Sequence, residues 1–311
     1  MTDKQTCSLI EIFQNQATLR AGVTETVLQE AENTLRECFP AELREVLLLT
    51  DGVKSHEGKS LLWSTSEILE KNMFFRNDEE IRKKYMPLND FLFFSDAPCN
   101  GLFGYPITPR SRQRPWIFQW NGITDARKVS TAHDLEQLYT WLLIDSERAQ
   151  IFLRRMNDIS GWDVPEPRFE RVIAKMKEED WEVFEPASIA EIKEVENSLG
   201  LCLPEALKQV YLFSNGLNSQ IGFRIFSIQE LLIEDSLIKA EHREVDWYMP
   251  ADSFLFFAPE GNGDYYGFPV TSSGIGNSVM QLDHETDTRD YFAQNLFELL
   301  HYQLELDDDD E

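Results

Sequence analysis

The stretch YMPLNDFLFF at Tyr85–Phe94 returns as YMPADSFLFF at Tyr248–Phe257, and each copy leads into a matching strand-like run, FGYPIT from Phe103 and YGFPVT from Tyr266. The spacing is 163 residues, too long for a solenoid unit and suited to a whole domain, so the chain reads as two copies of one domain. The match runs outward in both directions. Leu35, Pro40 and Gly52 correspond to Leu199, Pro204 and Gly216 at an offset of 164, and Trp63, Ser64 and Glu67 to Phe226, Ser227 and Glu230 at 163. Gln119, Asp125 and Arg127 correspond to Gln281, Asp287 and Arg289 at 162. Loop insertions and deletions produce such drift.

Each copy opens on helical spacing. Ser188 followed by Glu191 reads as a capping box, with Ile189, Ile192, Val195 and Leu199 on one face and Gly200 as the stop. The runs FPAELREVLLLTDG and LPEALKQVYLFSNG predict a second helix in each copy, with Pro40 and Pro204 at the start and Gly52 and Gly216 as helix stops. Short β-prone runs follow: Leu61–Trp63, Phe91–Ser95, Phe103–Ile107 and Trp116–Trp120, then Arg224–Phe226, Phe254–Ala258, Tyr265–Val270 and Ser278–Leu282. An amphipathic helix closes each copy, at Ala132–Leu143 and Ala293–Leu304. Helices first, strands in the middle and a helix last predict an α+β fold, two tandem domains each built on a mainly antiparallel sheet flanked by helices. The boundaries fall at residues 1–145 for the first domain, 146–167 for a Pro-containing linker, 168–306 for the second domain and 307–311 for an acidic tail.

At 311 residues, each copy has enough chain for a core of its own. No apolar run approaches the length of a membrane span, and the amino terminus lacks the basic and apolar regions of a signal peptide, so a cytoplasmic protein is expected. Cys7, Cys38, Cys99 and Cys202 form no CxxC pair; they read as unmatched between the copies, reduced and structural. The net charge of −26 is unevenly shared. Residues 1–160 carry 19 Lys and Arg against 23 Asp and Glu, a net of −4, whereas residues 161–311 carry 10 against 32, a net of −22. Such a surface repels nucleic acid and anionic membrane and steers basic partners toward it; the plainer alternative is that it keeps the protein in solution.

Convergent chemistry is absent from the pattern. His56, His133, His242, His284 and His301 form no metal-ligand spacing and read as surface or boundary residues, so no metal, cofactor or catalytic set is expected. GNGDYYG from Gly261 lacks the spacing of a phosphate loop and reads as a turn between two strands. The repeated Asp125–Arg127 and Asp287–Arg289 spacing reads as a hairpin turn with a local ion pair, and FLFF as core.

The order of helix, LPEALKQVYLFSNG, aromatic strands, GNGDYYGF and a final amphipathic helix resembles the SUKH superfamily, which includes the fungal cell-wall regulator Knr and bacterial immunity proteins that neutralise polymorphic toxins. The marks in the second copy are Leu203, Pro204, Asn215, Gly216, Gly263, Asp264, Gly267 and Phe268. The first copy departs, with Phe39 before Pro40, Asp51 for the Asn and Gly101 aligned with Asp264. The resemblance implies a non-catalytic binding protein whose partner is a basic toxin domain, a nuclease being the common kind. A regulatory scaffold of the fungal sort is one alternative, and an enzyme with a site of Asp264, His284 and Glu285 is another. Together with the charge division, it directs the partner surface to the second copy, with Glu260, Asp264, Asp283, Glu285 and Asp287 as candidates.

Overall fold

In each half, capping signals and apolar spacing generate helices first, and the twice-repeated aromatic run then supplies the central strand. The computed structural model describes residues 3–56, 58–97, 100–108, 116–129, 132–145, 169–220 and 222–304; the linker and the acidic tail lie outside the described residues. Two compact units emerge, the first from residues 1–81, 87–160 and 246–249, the second from residues 82–86, 161–245 and 250–311. Among the described residues no helix is long and apolar enough to cross a membrane.

The first half contains α1 (Asp3–Gln16), β1 (Ala17–Leu19), α2 (Glu25–Leu35), α3 (Ala41–Leu49), β2 (Val53–Ser55), β3 (Ser60–Leu62), α4 (Thr65–Asn77) and α5 (Glu79–Lys84). Then come β4 (Phe91–Ala97), β5 (Gly101–Pro106), β6 (Phe118–Asn121), β7 (Arg127–Val129) and α6 (Leu135–Leu143). The second half repeats the plan with α7 (Phe169–Glu178), β8 (Glu182–Val183), α8 (Ile189–Leu199), α9 (Glu205–Phe213), β9 (Leu217–Asn218), β10 (Arg224–Ile225) and α10 (Ile228–Glu244). It ends on β11 (Phe254–Pro259), β12 (Tyr265–Thr271), β13 (Gly274–Ile275), β14 (Val279–Leu282), β15 (Arg289–Ala293) and α11 (Leu296–Gln303). Strands β4-β5-β6-β7 pair in that order in the first unit and β11-β12-β14-β15 in the second, every pair antiparallel. This is the α+β architecture that the order of elements predicts.

The run FLFF is apolar at every position because both faces of its sheet are covered. In the second unit Phe254 and Phe256 pack with Ile238 of α10 on one face, whereas Leu255 and Phe257 pack with Leu207, Val210 and Leu300 on the other. Phe91 and Phe93 stack at 5.3 Å, and their counterparts Phe254 and Phe256 at 5.1 Å. Each strand shifts register once, between Phe93 and Ser95 and between Phe256 and Ala258. The carbonyl freed there accepts from the residue just after β3 or β10, Trp63 N to Phe94 O and Phe226 N to Phe257 O, both 3.0 Å. Asn72 of α4 ties the bulge down by accepting from Phe93 N at 2.9 Å and donating to Phe93 O at 2.8 Å. Asp235 of α10, its counterpart at offset 163, accepts from Phe256 N at 2.9 Å and from Lys239 Nζ at 2.7 Å.

Several sequence readings change. Helices α4 and α10 fill connections between the strands that the sequence predicts, each started by a capping box, Ser64 with Glu67 and Ser227 with Glu230. Gly200 is a left-handed helix stop as expected, but Gly52 and Gly216 are not: α3 and α9 end three residues before them. Their φ values of 87° and 94° serve the turn into β2 and β9. The closing helices begin at Leu135 and Leu296 because Asp134 and Asn295 cap them with their side chains. Strands β7 and β15 were not anticipated. His242 is buried rather than at the surface, since α10 turns it inward. Cys38 and Cys202 do match between the copies, 164 residues apart, and both are free and exposed.

Candidate functional site

The turn from β11 to β12 is assembled by local hydrogen bonds and then fastened to the β14–β15 hairpin. Glu260 N donates to Asp264 O at 2.7 Å and Gly263 N to Glu260 O at 3.1 Å, while Asp264 N bonds Asn262 Oδ1 at 2.9 Å. The Asp264 carboxylate is 6 % exposed. It accepts from Asn262 Nδ2 at 3.0 Å, Gln281 Nε2 at 3.1 Å and His284 N at 3.0 Å, and its Oδ1 lies 2.7 Å from His284 Nδ1. Gly263, at φ 100°, lies under the imidazole; a Cβ there would come within 3.2 Å of the ring. In the first copy the bulk is exchanged: Gly122 stands at the position of His284, and a Cβ on it would lie 2.7 Å from Asn100 O.

Burial raises the Asp264 pKa, but the hydrogen bonds from His284 and Asn262 outweigh it and hold the carboxyl below its ordinary value. The hydrogen bond to Asp264 raises His284, with the charge of Asp264 and of Glu285 and Asp283 adding to it. Both shifts favour the same ion pair.

The neighbouring hairpin is organised by Asp283, whose Oδ1 accepts from Glu285 N at 2.8 Å and Thr286 N at 2.9 Å. Asp287 takes φ 57° at its tip, and its counterpart Asp125 takes 61°. The expected local ion pairs are present and buried, Arg289 Nη2 to Asp287 Oδ1 at 3.4 Å and Arg127 Nη2 to Asp125 Oδ1 at 3.6 Å. Asp287 also meets His242 Nε2 at 3.1 Å, whereas Asp125 accepts from Trp120 Nε1 at 2.7 Å.

Of the five candidate carboxylates, Asp264 and Asp287 are therefore interior, with oxygens spent on intramolecular bonds. Glu285 is exposed, and Glu260 and Asp283 are partly so; Gln281 Nε2 donates to Glu260 Oε2 at 2.5 Å. Asp264, Glu260 and Gln281 gather at one turn, while Asp287 belongs to a separate buried set with His242 and Arg289. The sequence reading missed His242 as the partner of Asp287, since 45 residues separate them. Asp264, Asp283 and His284 each bring one possible ligand atom within 4.8 Å of the others, a spacing that a divalent cation could bridge. In the same arrangement Asp264 accepts from Asn262, Gln281 and the His284 amide, and Asp283 from two backbone amides. Chemically, the Asp264–His284 pair acts as a clasp between two hairpins.

The family model described as "SMI1 / KNR4 family (SUKH-1)" matches residues 186–301, from the loop before α8 into α11. A second, described as "SMI1-KNR4 cell-wall", matches residues 25–138, from α2 into α6. Comparison with curated proteins gives no match.

Proposed function

We propose that this chain, which belongs to the SUKH superfamily and carries its domain twice, is a non-catalytic immunity protein that captures and neutralises a polymorphic toxin in the cytoplasm. The observation that carries this reading is the charge division, −4 in residues 1–160 against −22 in residues 161–311. Nuclease toxins present basic substrate-binding surfaces, and an acidic domain complements such a surface and associates fast through steering. The clasp supports binding over catalysis: the Asp264 and His284 side chains of the set that an enzyme would use are engaged in fastening a turn to the neighbouring hairpin.

Co-expression with the product of a toxin-like gene beside its own gene tests the proposal. Survival of cells that the toxin alone kills is the expected result; death at equal toxin level, with the chain folded and abundant, sinks it. One observation favours a regulatory scaffold instead, the match of the first copy to the cell-wall description. A gene set among cell-wall genes and a protein that protects against no neighbouring toxin would support that alternative.

A further inference from the structure

Helix α10 turns Ile228, Leu231, Asp235, Ile238 and His242 inward. On its outer side Ile233 and Leu237, one turn apart, are 60 % and 51 % exposed. Ala240 continues the exposed line. A single exposed aliphatic residue is ordinary, but residues stacked at i, i+4 and i+7 form a continuous apolar strip. Glu234 and Glu241 line one edge of the strip, both on the side of Tyr265 of β12, whose phenol is raised first by burial and then by these two carboxylates. The helix's Lys and Arg do not neutralise this rim. Lys239 pairs with Asp235 on the inner side, and Arg243 pairs with Asp252.

An apolar strip with one acidic edge selects its occupant. A second copy of the chain would set glutamate against glutamate, and lipid headgroups or nucleic acid of negative charge would be repelled. What fits is an amphipathic helix with aliphatic residues along one face and Lys or Arg along the edge that meets Glu234 and Glu241. We propose that the outer face of α10 is a docking strip for a basic amphipathic helix of a protein partner. This rests on the reading of the chain as a capture protein and names a surface for it away from the strand turns. The first copy supplies an internal control. On α4, Glu70 stands for Ile233, Phe74 for Leu237 and Lys71 for Glu234, with Asp78 just past the helix standing for Glu241, so an exposed apolar position is kept at Phe74 while the aliphatic neighbour and one of the two carboxylates are exchanged.

The test titrates a dye-labelled helical peptide of Leu and Lys, amphipathic in design, into the full chain, beside a peptide of the same composition in scrambled order. The designed peptide is expected to bind, and the scrambled one to bind at least roughly tenfold more weakly. Ile233→Asp with Leu237→Asp should weaken binding by roughly tenfold or more, while Met73→Asp with Phe74→Asp leaves it unchanged. Glu234→Gln with Glu241→Gln should flatten the salt dependence. All these side chains are partly or fully exposed, and an unchanged unfolding temperature verifies that the variants fold. Wild-type affinity in the α10 double variant, equal binding of the scrambled peptide, or an equal loss at Met73 and Phe74 would each overturn the strip. None of these outcomes touches the capture reading, which survival against a toxin decides separately.

Discussion

Asp264 and Glu42 are two buried carboxylates whose pKa values move in opposite directions, since hydrogen bonds outweigh burial at Asp264 and burial prevails at Glu42. With its pKa lowered, Asp264 contributes stability that is present above the unfolded value of 3.8 and is lost as pH falls through the folded one. With its pKa raised, His284 contributes stability that is complete below 6.5 and lost as pH rises through the folded value. The clasp is therefore strongest between these limits, and Asp264→Asn should lower the unfolding temperature most near pH 5–6, with the difference shrinking toward either end. The charge effect stays below about 1 kcal/mol because the imidazole side chain is 45 % exposed. A pH-independent difference would remove the ion pair from the account. Glu42 of α3 is 5 % exposed and accepts from Leu135 N at 2.6 Å. Burial, with Asp134 nearby, pushes its pKa up to about 7 against the hydrogen bonds from Leu135 and Tyr105. The folded state thus binds this proton more tightly than the unfolded chain, and stability from this group falls as pH rises from 4.5 to about 7. Glu42→Gln should remove that fall and, relative to wild type, gain on the order of 3 kcal/mol in denaturant titrations on going from acid to mild alkali. The second copy has Ala206 at this position. Neither behaviour was legible in the sequence, since the partners of Asp264 lie 17 and 20 residues away and that of Glu42 lies 93 away.

Among the elements, the repeated strand was readable because a fully apolar run bounded by turn residues has few other uses. Helices α4 and α10 were not. Their buried faces include Asn72, Asp235 and His242, so the apolar periodicity breaks where the helix serves the bulge and the hairpin. The paired Ser and Glu of their capping boxes was visible as a repeat, and was the one signal that could have found them. Gly216 is held by contact as well as by conformation: at φ 94°, a Cβ would lie 3.0 Å from Ile225 O and 3.2 Å from Ser227 N. Gly216→Val should destabilise the second unit by roughly 1–3 kcal/mol, through both left-handed strain and displacement of the start of α10. An unchanged melting temperature would contradict both contacts. Asn72→Ala should cost roughly 1–3 kcal/mol in the first unit, because Phe93 N and O both lose their side-chain partner inside the core.

For the whole molecule, the tandem plan was legible from one pair of matching decapeptides, but the composition of the units was not. The second unit includes residues 82–86, and Met86 is fully buried in the same core cluster as Phe254 and Phe256. A fragment from residue 161 onward should unfold cooperatively yet at a lower temperature than the second unit in the full chain; non-cooperative unfolding would mean that its core is incomplete. Long-range charge acts at this scale too. Neutralising Glu260, Asp283 and Glu285 should slow capture of a neutralised toxin, and salt should slow the wild type, because screening shortens the field to about 8 Å at physiological ionic strength. A rate indifferent to both would transfer the binding energy to apolar contacts. The two bulge anchors carry a further consequence. Asn72 is followed a turn later by Arg76, which donates to Phe91 O at 2.9 Å, and Asp235 by Lys239, which pairs with it. A recombination tract that exchanged one member between the copies would strand an ammonium without its carboxylate, or a carboxylate beside the Phe93 carbonyl. Each anchor therefore works only with the residue one helical turn beyond it, so the duplicated halves are not interchangeable at this place, one position at a time.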